Sequence, residues 1–208
     1  LLAVIVAVPV IGMTIIAPAL TIIKNDLNIS FENTQLILTL YFTFLAFGQI
    51  LSGPFSDKYG RKPILLLGAT IYSISAFFAS LSSNIEILLI LRCFQGFGAA
   101  ACLSVGRTIL SDCYEIKEAA KEMSKMTAIM AVIPISCFIF GGFLAEFLGW
   151  RTNLLALGLI SLILIIAMSF LLNETLIKKA KSISFKNMFL VYRGLLKNFS
   201  FNFFTITT

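Results

Sequence analysis

The sequence GPFSDKYGRKP, residues 53–63, separates two long apolar runs. It holds four charges in one short segment, on Asp57, Lys58, Arg61 and Lys62. Such a segment is too short for a domain, and between apolar runs it predicts a turn at a membrane surface. Asp57 falls where the preceding helix should end, so its carboxylate alone would meet the negative end of the helix dipole unfavourably. Gly53, one turn earlier, predicts a notch where another helix approaches closely.

The composition indicates a polytopic membrane protein. Of 208 residues, 59% are apolar and only 12% are charged, which is outside the range of soluble globular domains. Most of the cations behind the net charge of +6 lie between apolar runs, so we expect the lipid bilayer as a partner and no nucleic acid. Because there is no histidine and no Cys-x-x-Cys spacing, we expect no metal site, no cofactor and no enzyme.

The apolar runs predict six membrane-spanning helices and the start of a seventh. A run of about 20 apolar residues crosses the hydrocarbon core, and in lipid such a run must be helical. We expect an all-α bundle over residues 1–172, with spans at residues 1–23, 36–55, 63–82, 85–110, 127–148 and 153–172. Residues 173–198 read as a basic connector, either an amphipathic helix on the membrane surface or a flexible linker. Residues 199–208 begin a seventh span.

The distribution of lysine and arginine predicts the orientation. The segment 53–63, the segment 111–126 and the connector are rich in these residues, whereas the opposite loops hold only Lys24 and Arg151. Since basic loops stay on the cytoplasmic side, we expect a multi-pass protein of the cytoplasmic membrane with both ends of the chain in the cytoplasm.

The fourth predicted span contains a charged side chain at depth. Arg92 lies about two turns into the span and shares one helical face with Gln95 and the small residue Gly96. A buried guanidinium costs several kcal/mol, so Arg92 should face a watery cavity or bonded partners. The alternative is that Arg92 extends to the outer interface and that Gly96 is a packing notch.

Other spans contain helix-breaking residues. Pro134 and the pair Gly141-Gly142 predict a fifth span that bends, or a passive packing groove. Proline and glycine in the first span, at Pro9, Gly12 and Pro18, likewise suggest a broken helix beside a cavity. At the inner end of the fourth span, Arg107 and Asp112 are candidates for a surface ion pair worth less than about 1 kcal/mol.

These residues resemble the major facilitator superfamily. The segment 53–63 matches its loop signature Gly-x-x-x-Asp-(Arg/Lys)-x-Gly-Arg-(Arg/Lys) at every position, with Gly53, Asp57, Lys58, Gly60, Arg61 and Lys62. The face around Arg92 is similar to the signature of the fourth helix in that family. Further strings, such as residues 18–20 and 149–151, are most similar to the bicyclomycin and chloramphenicol resistance subfamily of drug/proton antiporters.

The resemblance implies the amino-terminal half of a twelve-helix multidrug efflux transporter that works by alternating access. The partners would be a small hydrophobic or amphipathic substrate and a carboxy-terminal half, with the proton gradient as driving force. Asp57 would pair with Arg61 and face a helix end of the other half as a gate, while Arg92 would serve proton coupling. Because no Asp or Glu lies deep in the six spans, a mid-membrane proton carrier would belong to the other half. The alternative is a non-transporting half, from a split or decayed gene or needing a partner subunit.

Overall fold

The computed structural model describes residues 1–176, and their helices follow from the apolar runs. The elements are α1 (Leu2–Thr14), a 3-10 turn (Ala17–Ala19), α2 (Leu20–Asp26), α3 (Phe31–Tyr59), α4 (Arg61–Ser80), α5 (Ile85–Cys113), α6 (Ile116–Leu148) and α7 (Trp150–Leu171). With α1 and α2 taken as one interrupted span, six helices are long and apolar enough to cross a membrane. The predicted all-α membrane fold is therefore confirmed. The predicted connector and seventh helix lie outside the described residues, except for residues 173–176.

The central helix of the bundle is α5. It packs most extensively against α3 and α4, and it also contacts α1 and α6. Glycine at the crossings lets the backbones approach closely: a Cβ on Gly48 would lie 2.7 Å from the Cβ of Ala100, and one on Gly68 would lie 2.8 Å from the carbonyl of Gly98. Further helix contacts include those between α4 and α7 and between α6 and α1. The fold therefore places Arg92, on α5, in the interior of the bundle.

The charged segment 53–63 is not the open turn that the sequence predicted. Helix α3 continues to Tyr59 and α4 begins at Arg61, so Gly60 alone joins them. The reason is the backbone of Gly60, which has a φ of 115°. Residues with a Cβ atom rarely adopt this conformation, whereas glycine adopts it easily. The segment 111–126, also predicted as a loop, is mostly helical because α6 begins at Ile116. Asp57 and Arg61 of the signature thus lie at the end of α3 and the start of α4.

The first span is broken as the sequence predicted. Helix α1 passes through Pro9 and ends at Thr14, and the 3-10 turn contains Pro18. A break in lipid leaves the last carbonyl groups of α1 without helical donors. Side chains of other helices must therefore supply those hydrogen bonds.

Candidate functional site

Arg61 is the centre of an ionic cluster where α3, α4 and α5 meet. Its Nη1 donates to Asp57 Oδ1 at 2.5 Å and to Ser56 Oγ at 2.6 Å, and its Nε donates to Asp112 Oδ2 at 3.0 Å. Arg61 is 8% exposed, so these contacts replace most of its hydration. The guanidinium compensates the Asp57 carboxylate at the end of α3 and joins that helix to α5.

The predicted ion pair between Arg107 and Asp112 is wrong. Asp112 is bound by the Arg61 guanidinium, whereas Arg107 is exposed and makes no ion pair among the described residues. The two residues are five positions apart on one helix, a spacing that places side chains on different faces. Asp112 therefore belongs to the cluster at the signature segment.

A residue that sequence reasoning missed, Glu174, holds the start of α4. Its Oε1 accepts the backbone N–H of Arg61 at 2.9 Å and its Oε2 accepts that of Lys62 at 3.2 Å. Desolvation raises the pKa of the Glu174 carboxyl, but hydrogen bonds from the backbone N–H groups of residues 61, 62, 175 and 176 outweigh it and lower the pKa overall. No local pattern signals a contact across 113 positions.

The other signature residues are placed as follows. Lys62 Nζ donates to the Ser169 carbonyl at 2.8 Å, in the last turn of α7. Lys58 Nζ lies 4.9 Å from the centre of the Tyr59 ring. The predicted notch at Gly53 is not filled by any helix of the described part of the chain, because a Cβ there would meet nothing within 4 Å.

Arg92 lies fully enclosed between α1, α3 and α5, at 0% exposure. Its Nη1 donates to Gln95 Oε1 at 2.5 Å, both Nη atoms lie 3.3 Å from the Gly12 carbonyl, and Nε lies 3.4 Å from the Ile37 carbonyl. The guanidinium also stacks 4.2 Å from the centre of the Tyr41 ring. Bonded partners were one of two environments predicted for Arg92, whereas extension to the interface and exposure on an open cavity do not occur in this structure.

The partners of Arg92 explain its position. Gly12 lies in the last turn of α1, where the helix itself supplies no donor to the carbonyl, and a cation is favoured at a helix C-terminus. Gly96 permits the approach, because a Cβ there would collide with the Tyr41 carbonyl. Gln95 Nε2 and the Tyr72 hydroxyl are buried and find no hydrogen-bond partner within residues 1–176. Arg92 therefore caps the broken first span.

A second cap on the break comes from α7. Asn153 is 0% exposed, and its Nδ2 donates to the Ile15 carbonyl at 2.8 Å and to the Gly141 carbonyl at 3.0 Å. Gly141 lies directly against the Ile15 carbonyl, with no room for a Cβ, while Gly142 lies near Pro18. Helix α6 is unbroken through Pro134. The contact at Gly141 supports the packing interpretation, and bending at Pro134 stays a prediction.

At the end of the bundle opposite the Arg61 cluster, Asp26 joins the first and sixth spans. Its Oδ2 accepts Trp150 Nε1 at 2.9 Å and Arg151 Nη1 at 2.7 Å. Arg151 Nη2 also donates to the Ser82 carbonyl at 3.1 Å. The string 149–151, seen in the sequence only as a resemblance, thus forms a further polar contact between spans.

Two curated proteins named for drug resistance are similar to this chain in sequence. The bicyclomycin resistance protein homolog of Haemophilus influenzae is 31% identical over 167 residues, which cover 80% of this chain and 42% of that protein. The chloramphenicol resistance protein of Pseudomonas aeruginosa is 34% identical over 149 residues, 71% of this chain and 36% of that protein. The chain thus spans less than half the length of these relatives.

A solved structure and a family model give the fold and the family. A bacterial homolog of the human lysosomal transporter Spinster, in an inward-facing and unoccupied conformation, matches with a TM-score of 0.74 at 21% identity, over 92% of this chain and 47% of that one. The family model described as Major Facilitator Superfamily matches residues 2–207. The resemblance seen in the sequence is therefore confirmed, and this chain belongs to the major facilitator superfamily.

Proposed function

We propose that this chain forms the amino-terminal half of a multidrug efflux transporter that exports amphipathic small molecules in exchange for protons. Two relatives named for resistance to bicyclomycin and to chloramphenicol support the substrate class. The geometry that carries the proposal is the Arg61 cluster, which joins three spans at one end of the bundle and leaves part of Asp57 free.

Asp57 is suited to act as half of a gate. Its side chain is 53% exposed although Arg61 binds Oδ1, so Oδ2 remains available to a partner. A carboxylate held in this way favours the amino-terminal end of another helix, and the family resemblance supplies such a helix in the carboxy-terminal half. Making and breaking that contact would bias the transporter between two orientations of its halves. Asp57 is therefore the residue whose neutralisation should shift the balance.

Proton coupling requires a titratable group beyond the described bundle. Arg92 is bound by carbonyl and amide oxygens, and no carboxylate of the described residues pairs with it. Because Arg92 is fully enclosed here, its charge would favour the anionic form of a carboxylate from the other half only after the surrounding helices move apart. We propose that a carboxylate of the carboxy-terminal half carries the proton. We also propose, from the basic segments 53–63 and 111–126, that the protein lies in the cytoplasmic membrane with both ends of the chain in the cytoplasm.

Accumulation of a fluorescent amphipathic cation tests the function. The full-length protein is expressed in an efflux-deficient bacterial strain, and ethidium accumulation is compared with a strain carrying the empty vector. We expect lower accumulation that a protonophore restores. Accumulation equal to that of the vector strain, at matched protein levels, would contradict the proposal.

Asp57→Asn is the variant that tests the gate, and Glu32→Gln is its matched control because Glu32 is exposed in the first turn of the same helix. We expect Asp57→Asn, but not Glu32→Gln, to reduce export and to change the cysteine labelling that distinguishes the two orientations of the halves. In the isolated chain of residues 1–208, where no second half is present, the same substitution should change labelling little. An equal response in the full-length protein and the isolated chain would refute the gate.

A further inference from the structure

The end of α7 and the start of α4 are joined by reciprocal contacts. Glu174, just after α7, binds the first two backbone N–H groups of α4, and Lys62, in the first turn of α4, donates to the Ser169 carbonyl in the last turn of α7. An anion at a helix N-terminus and a cation at a helix C-terminus are each favoured by the helix dipole. The contacts of Glu174 and the contact of Lys62 therefore both hold the end of α7 next to the start of α4.

The contact is built into the backbone on both sides. Leu172 is buried against the core at 8% exposure, which fixes the chain two residues before Glu174. On the other side, a Cβ on Gly60 would lie 3.2 Å from the Glu174 Cδ and closer still to its Oε2. Gly60 therefore allows the turn with its positive φ and also leaves space for the Glu174 carboxylate.

Arg61 is where this contact meets the ionic cluster. Its backbone N–H is bound by Glu174, while its guanidinium is bound by Asp57 and Asp112. A shift of Glu174 therefore moves the residue on which the cluster depends. We propose that Glu174 is a positioning residue that holds Arg61 in reach of Asp57 and Asp112 and thereby couples the gate to the chain segment after α7; the inference rests on the proposed function for its role in transport.

The native thiol of Cys113 gives a direct readout. Cys113 is exposed, and it is the last residue of α5, directly after Asp112. If Arg61 no longer binds Asp112, the end of α5 around Cys113 should become more mobile. The labelling rate with a maleimide is measured in the full-length protein, in membranes, with every other cysteine replaced by alanine. We expect Glu174→Gln to raise the rate about fivefold, equivalent to about 1 kcal/mol, the typical effect of losing a helix cap. Glu86→Gln, in the first turn of α5, is the control and should leave the rate unchanged.

A double-variant cycle separates positioning from general stabilisation. Arg61→Ala keeps the backbone N–H that Glu174 binds but removes the guanidinium. If Glu174 acts through Arg61, adding Glu174→Gln to Arg61→Ala produces no further increase in labelling. Glu174→Asp retains the carboxylate and should stay within about twofold of the wild type, as rescue by a conservative change requires. It also keeps the test open should Glu174→Gln fail to fold.

Two results would overturn the inference. One is an unchanged Cys113 rate in Glu174→Gln, and the other is a fully additive effect in the double variant. Neither readout depends on drug export. A protein that exports nothing but shows the fivefold, non-additive change would refute the proposed function and leave the positioning role intact.

Discussion

Adjacent glycines in α6 should respond oppositely to alanine. At Gly142 the new Cβ would lie 3.7 Å from the Pro18 side chain, an ordinary contact, so the variant keeps the gain of about 0.8–1 kcal/mol that alanine has over glycine in a helix. At Gly141 it would lie within 2.9 Å of the Cα and carbonyl carbon of Ile15 and closer to the oxygen. Because these are backbone atoms, α6 would have to separate from the first span.

The cost at Gly141 combines two terms. Overpacking of this kind costs about 1–3 kcal/mol, and separation weakens the hydrogen bonds from Asn153 to Ile15 and Gly141, at about 1 kcal/mol each. After subtracting the gain in helix propensity, we expect a net destabilisation of about 2–4 kcal/mol for Gly141→Ala. The two variants should thus differ by about 3–5 kcal/mol in the free energy of unfolding.

Thermal unfolding of the purified full-length protein in detergent, followed by size-exclusion chromatography after heating, measures this order. We expect Gly141→Ala to melt below the wild type and Gly142→Ala to melt at or above it. Equal melting temperatures, or the reverse order, would refute the packing reasoning. If both variants kept their stability but lost export, the glycine pair would act as a hinge.

Four further variants test the polar contacts. Arg92→Met should lower stability by about 2 kcal/mol, because it leaves the Gly12 carbonyl and Gln95 Oε1 without donors while removing a buried charge; an unchanged melting temperature would contradict the capping role. Asp112→Asn should destabilise the protein, whereas Arg107→Ala should change its stability by less than about 0.5 kcal/mol; the reverse order would restore the pairing expected from the sequence. The stabilisation from Glu174 should be present above about pH 4.3, the unfolded glutamate value, and be lost as the pH falls through its lowered folded pKa; a melting difference between wild type and Glu174→Gln that persists under strong acid would contradict this.

The sequence predicted features that depend on local composition. Long apolar runs determine the number of spans, and proline with glycine in the first span indicates its break. The depth of Arg92 correctly indicated a need for bonded partners. It did not indicate that those partners are carbonyl groups, because they arise from the break in a different helix.

Contacts between distant segments were not predictable from local patterns. Asp112 has Arg107 nearby in sequence, yet its partner is Arg61, 51 positions away. Glu174 and Asn153 likewise act on backbone groups far along the chain, and a backbone acceptor or donor carries no sequence signal. The boundary at Gly60 was missed for a related reason, since α3 continues through polar residues once Arg61 neutralises its end.

Helix α6 is buried against the bundle in two separate regions. Its buried residues are Ala119 and Met126 near one end and Gly141 and Ala145 near the other, and none of residues 127–140 is buried. That stretch is about 21 Å long at 1.5 Å per residue, and it packs on the core only through half-buried side chains such as Met130, Ile133 and Cys137. Pro134, which removes a backbone hydrogen bond, lies near its midpoint. We therefore expect that, if α6 bends during transport, the bend lies near Pro134, while the contact of Gly141 with Ile15 holds the outer part of the helix against the first span.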